Sequence, residues 1–136
     1  MIAGEAVIEL VCVGTELLDG KANTHPAHIA RRLRAAGLRL ARETALPDEA
    51  GLLAGELRQA LGRCDVLIVC GGLGPTFDDV TREAAAAALG RGLAYQPRLY
   101  AGIRRKFTRH RIRPARENRR QAYLIAGAVA LANRGG

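Results

Sequence analysis

The chain has 136 residues, a length that fits one domain with a real core. Its 49% hydrophobic and 25% charged content is ordinary for a globular protein, and with no run of about 18 apolar residues it offers no transmembrane helix. The net charge of +8 is uneven: residues 1–103 hold 11 basic and 12 acidic side chains, net −1, whereas residues 104–136 hold 10 and 1, net +9.

In chain order, the start Met1–Glu5 lacks the basic, then long apolar pattern of a secretory signal, so the cytoplasm is the expected location. Ala6 to Val13 is an apolar, β-branched run and reads as a buried strand, broken at Gly14-Thr15-Glu16. Asn23 or Thr24 is a candidate N-cap, with Pro26 in the first turn of a helix running to Ala36 and Gly37 at its C-cap. Leu38 to Ala45 alternates as a half-exposed strand. Asp48, in the turn Pro47-Asp48-Glu49, can cap a second helix whose apolar face is Leu52, Leu53, Leu57, Ala60 and Leu61, ending at Gly62. Val66 to Cys70 reads as a third, buried strand, followed by a glycine-rich loop and a helix from Val80 to Leu89 that Gly90 stops. Pro97 starts a fourth helix through about Arg109, Pro114 permits a short fifth near Ala115 to Ala122, and Ala126 to Leu131 reads as a last strand. Strands alternating with helices predict an α/β layered fold with a mostly parallel sheet.

The chemistry gathers at the predicted strand ends, where ligands of such sheets bind. A glycine-rich turn between a strand and a helix N-terminus lets backbone N–H groups approach an anion closely, and the helix dipole favours negative charge there. Gly71, Gly72 and Gly74 supply that turn, and Thr76, Asp78 and Asp79 follow. A parallel sheet brings Glu16 and Asp48 to the same edge. Four acids around a phosphate-type loop call for a cation, and Mg²⁺ or Mn²⁺ suits oxygen ligands. Three of the acids have a plainer use, Asp48 as the cap of the second helix and one of Asp78 and Asp79 as the cap of the third, whereas Glu16 has no capping role. The alternatives are poorer. Serine is absent, and His25, His28 and His110 lack metal-ligand spacing. Cys12, Cys64 and Cys70 form no CxxC and read as reduced thiols. The basic stretch Arg104–Arg120 offers only Phe107 and Tyr123 nearby for base stacking, so nucleic acid is not the expected partner.

Three stretches carry a family resemblance: Gly14-Thr15-Glu16-Leu17-Leu18-x-Gly20, Asn23-Thr24-His25, and Gly71-Gly72-Leu73-Gly74-Pro75-Thr76-x-Asp78-Asp79-x-Thr81-Arg82-Glu83-Ala84. Together they resemble the N-terminal domain of the CinA (competence/damage-inducible protein) family, within the molybdopterin-binding superfamily of MoaB, MogA, MoeA and gephyrin. Asn118-Arg119-x-Gln121-Ala122 fits the same branch. The resemblance implies a three-layer α/β/α sandwich over residues 1–136. It implies a nucleotide and metal site at Asp48 and Asp79, and divalent-metal-dependent hydrolysis of ADP-ribose with Mg²⁺, Mn²⁺ or Co²⁺. On that reading Asp48, Asp78 and Asp79 hold the metal, with Glu16 as a further ligand or the base for water. Gly14, Thr15, Gly71, Gly72, Leu73, Gly74, Thr76, Thr81, Glu83 and Asn118 line the ligand. Molybdopterin binding in molybdenum-cofactor synthesis is the alternative, and a binding module without catalysis the third. The partners implied are a small nucleotide or pterin and further copies of the same chain. Family members continue past an Asn like Asn133 into a Gly-x-Ala-Pro-Gly loop, a second wall of the pocket. Here Asn133-Arg134-Gly135-Gly136 follow, so a domain truncated at its C-terminal end is the expectation, and Ile125 stands where proline is common.

Overall fold

A computed structural model describes residues 6–131. The apolar run at the start forms β1 (Ile8–Val13), every residue of which is buried. One helical turn, α1 (Thr15–Leu18), follows where only a break was expected. Next come α2 (His25–Ala35), β2 (Leu40–Leu46), α3 (Ala50–Leu61), β3 (Val66–Cys70) and α4 (Thr81–Ala88). After them lie β4 (Leu93–Tyr95), α5 (Pro97–Arg109), a 3₁₀ helix (Arg116–Ala122) and β5 (Tyr123–Ile125).

β1, β2 and β3 form a parallel sheet in the order β2-β1-β3. The connections from β1 to β2 and from β2 to β3 cross the sheet in opposite directions. Right-handed crossovers therefore put α2 on one face and α3 on the other. β1 is central and its side chains alternate between faces. Val11 and Val13 meet Leu53, Leu57 and Ala84 in the buried core between the sheet, α3 and α4. Glu9 shares that face and is 4% exposed. It holds its charge there because Arg63, just past α3, donates through Nε and Nη2 at 2.9 and 2.8 Å. That guanidinium holds the Glu9 carboxyl below the usual range in spite of burial.

Three of the helices stop by one device. After α2, Gly37 takes φ +75° and its N–H bonds the Arg34 carbonyl while Leu38 bonds Leu33. Gly90 does the same after α4. Arg111 repeats it after α5 at φ +56°, a conformation a side chain adopts only at a cost.

Several expected elements differ. The segment after Ile125 is not a strand: β5 is Tyr123–Ile125, antiparallel to the unforeseen β4 in a separate two-stranded sheet. Gly127 at φ +82° and the Ala128 to Ile125 bond turn the chain away. The short fifth helix is present and is of the 3₁₀ type. β3 is only half-buried, since it has a neighbour on one side only among the described residues, and Val66 is 46% exposed. The buried face of α3 is Leu53, Leu57 and Ala60, while Leu52 and Leu61 face outward. Among the described residues no helix is long and apolar enough to cross a membrane.

Candidate functional site

The parallel register, with Val13 opposite Leu46 and Cys12 opposite Cys70, brings the C-terminal ends of all three strands to one edge. Two of the three ends are bonded to each other. Asp48 Oδ2 accepts from the Thr15 N–H at 2.9 Å and from its hydroxyl at 3.2 Å, and the Asp48 N–H returns a bond to Thr15 Oγ1 at 3.1 Å. Asp48 is therefore not the cap of α3: Glu49 occupies that position and makes no side-chain cap bond. Asp48 Oδ1 takes no part in these bonds and faces Gly72, whose added Cβ would come within 3.3 Å of it.

The glycine loop stands directly on this floor. Gly71 has φ +90°, and a methyl group there would collide with the Val13 carbonyl oxygen. Gly72, at φ +59°, leaves no room between its α-carbon and the Thr81 hydroxyl. Close backbone approach is thus what these two glycines are for. Thr81, buried at the start of α4, fixes the approach: its hydroxyl donates to the Gly71 carbonyl at 2.8 Å and its N–H to the Gly72 carbonyl at 3.1 Å.

The second half of the loop is organised by Asp79. Its carboxylate accepts from the Gly74 and Thr76 N–H groups at 2.8 and 2.9 Å, and from the Thr76 hydroxyl. That hydroxyl also bonds Asp78, so its single proton is shared between two carboxylates. Neither Asp78 nor Asp79 caps α4, where Val80 holds the position without a side-chain bond. Burial would push the Asp79 carboxyl up, but the Thr76 hydroxyl, the two amides and Arg120 together hold it below its ordinary value. The Gly74 and Thr76 amides, expected to face an anion, face Asp79 instead. The N–H groups of Gly72 and Leu73 have no partner among the described residues, and neither do those of Gly71, Phe77 and Asp78; Gly72 and Leu73 are the ones in the glycine turn next to Asp48 and Thr81.

Two arginines that received no role from the sequence hold the loop from below. Buried Arg82 donates to the carbonyls of Leu73 and Gly74, both at 3.4 Å. Arg120, from the 3₁₀ helix, donates to the carbonyls of Thr76 and Asp79, the latter at 3.2 Å, and pairs with Glu83 at 2.9 Å. Glu83 is thus a support of the loop in this arrangement. The available signal was Arg82 inside the long motif and Arg120 beside Asn118, in a basic stretch where Asn118 and Ala122 are nonetheless buried.

The remaining candidates lie to either side. Glu16 is exposed and paired with Lys21 at 3.4 Å, and its backbone and that lysine lower its pKa. Asn118 is 8% exposed, bonds Gln121, and lines an open cavity of about 830 Å³ together with Leu73, Thr81 and Arg82. Arg82 Nε, on the same cavity, is buried without a partner among the described residues. Among those residues no three His, Cys, Asp or Glu side chains stand close enough to hold one metal ion. Asp48, Asp78 and Asp79 do not form such a group: Asp79 accepts within its own loop, and Asp48 bonds Thr15 through Oδ2, leaving Oδ1. Asn133 and the residues after it, where family members continue into a second pocket wall, lie outside the described residues.

A family described as a probable molybdopterin binding domain matches residues 9–135. The chain is 46% identical over 127 residues to a CinA-like protein of Deinococcus radiodurans, covering 92% of this chain and 31% of that protein. It is 45% identical over 130 residues to a CinA-like protein of Parasynechococcus marenigrum, covering 95% and 31%. The chain thus spans about three tenths of the length of these curated relatives. Among solved structures it is similar to the protein CinA, of unknown function, from Thermoplasma acidophilum. The TM-score is 0.84 and the identity 28%, over 95% of this chain and 76% of that one.

Proposed function

This chain belongs to the family of probable molybdopterin-binding domains, on its CinA-like branch, and from that premise we propose that its glycine loop binds the phosphate of a nucleotide-type ligand. One observation carries the reading. The Gly72 and Leu73 N–H groups have no partner among the described residues, and the unbonded Oδ1 of Asp48 lies beside Gly72, on a loop already fixed by Thr81, Asp79, Arg82 and Arg120. An anion there meets preorganised donors at low ordering cost.

A carboxylate next to a phosphate favours a bridging cation. The donor set suits a divalent ion held by one protein carboxylate, the ligand phosphates and water, as Mg²⁺ is commonly held, rather than an all-protein cage. Asp48 would hold it through Oδ1. The Asp79 oxygens already accept from Gly74 and Thr76, which leaves Asp48 Oδ1 the freer ligand. Such an ion polarises a phosphoryl group and acidifies bound water. Thr15 orients Asp48, the glycine amides fix the phosphate, and Glu16, beside Lys21, is the remaining candidate base. On this reading the domain hydrolyses the pyrophosphate of ADP-ribose with Mg²⁺, Mn²⁺ or Co²⁺.

The test is release of AMP and ribose phosphate from ADP-ribose with each metal, for the native chain and Asp48→Asn. Metal-dependent turnover that falls at least 100-fold in the variant supports hydrolysis at this site. The description of the matching family favours a second reading, pterin binding at the same loop. Saturable molybdopterin binding without turnover under any metal would select it.

A further inference from the structure

Cys12 and Cys70 are direct partners in the β1–β3 ladder, and the Cys70 thiol donates to Cys12 Sγ at 3.4 Å. Directly paired residues point to the same face, and neighbouring strands lie about 4.8 Å apart. That separation falls inside the window of roughly 4.4–6.8 Å between α-carbons that a disulfide spans. Cys12 is buried and Cys70 half-buried, and both line a cavity of about 240 Å³ at the strand ends, with Glu16, Lys21, His25 and Gly71, so a peroxide would enter from the Cys70 side. Neither thiol serves the phosphate site described above. The third cysteine, Cys64, precedes β3 and so lies at the far end of that strand from Cys70.

We propose that Cys12 and Cys70 form a redox modification site, in which a peroxide converts the facing thiols to an intramolecular disulfide across the sheet. One sulfur attacks the peroxide O–O bond, becoming a sulfenic acid as water leaves. The second sulfur attacks that sulfenic sulfur, the S–S bond forms, and the hydroxyl departs as a second water. Two thiols lose two electrons and two protons, and one hydrogen peroxide is reduced to two waters. A small-molecule dithiol reverses the bond by exchange. Cys12 precedes Val13 and Cys70 precedes Gly71, so the crosslink ties together the two backbone segments on which the glycine loop rests.

The full chain, treated with hydrogen peroxide and then denatured with a thiol alkylator, reads this directly. The expected product carries one alkyl group, on Cys64, has lost two hydrogens, yields a Cys12–Cys70 crosslinked peptide, and takes three alkyl groups after dithiothreitol. A Cys64→Ala variant should form the same crosslink and take no alkyl group, and its Tm should be higher oxidised than reduced. Three alkylated cysteines after peroxide, a crosslink through Cys64, or a crosslink between two chains would each overturn the proposal.

Discussion

Asp79 keeps its carboxylate inside its own loop, and this alters what a mutation there reports. Asp79→Asn places an amide donor against the Gly74 and Thr76 N–H groups, and should cost about 1–3 kcal/mol. Because the native carboxyl is held below its ordinary value, its contribution to stability is complete above about pH 3.9. It is lost as the pH falls through the lower folded value. Urea unfolding at pH 7 and at pH 3 should therefore show a larger gap between native and variant at pH 7. An equal gap at both would place the stabilisation elsewhere. Asp48 is the cleaner probe of chemistry, since Oδ1 lies outside the loop's own bonds. Glu9 makes a separate prediction. Arg63→Ala leaves its buried carboxylate with only the longer Arg42 contact at 3.7 Å and should cost about 3 kcal/mol, measured by denaturant midpoint. Residue identity made Asp48 and the glycines visible in the sequence. It could not show which oxygen of Asp48 is bonded, or that Asp79 faces inward, because both depend on the path of a loop that only Gly71 and Gly72 permit.

At the scale of elements, the loop is a bridge between α4 and the 3₁₀ helix, and Arg120 is its pin. Arg120→Ala should speed amide hydrogen exchange at Gly74 and Thr76 by 10-fold or more while leaving Leu10 and Val11 in β1 unchanged. Uniform acceleration would mean that Arg120 supports the whole fold and not the loop. The end of α5 offers a stabilising change: Arg111→Gly relieves a left-handed φ and should gain about 1 kcal/mol in thermal unfolding. Apolar spacing and bounding residues located α2 and α3, Gly90 the end of α4, and Pro97 the start of α5. Periodicity missed β4 and displaced β5 because a three-residue strand has no period to read. Tyr95 pairs with Tyr123 across that ribbon at 5.3 Å, and Arg119 stacks on Tyr95 at 4.5 Å, contacts that exist only once the chain has folded back.

For the whole molecule, handedness and strand alternation made the parallel sheet, and the edge that collects its strand ends, legible in the sequence. Which strand lies at the edge was not legible, since Val66–Cys70 is as apolar as a central strand. The charge asymmetry remains on the surface of α5 and the segment after it, where Arg104, Arg105 and Arg109 are exposed. Association of several copies of the chain remains a proposal, and light scattering during size-exclusion chromatography measures it.

The central claim is that a phosphate sits on the Gly72 and Leu73 amides beside Asp48. ¹⁵N-resolved NMR of the full chain, titrated with ADP-ribose and Mg²⁺, tests it most directly. The account predicts saturable shifts largest at Gly72 and Leu73, weakened at least 10-fold in affinity by Asp48→Asn, whose unliganded spectrum stays folded. Saturable shifts centred on Ile103, Phe107 and Ile125, with Gly72 and Leu73 unmoved, would place the ligand in the neighbouring cavity and contradict it.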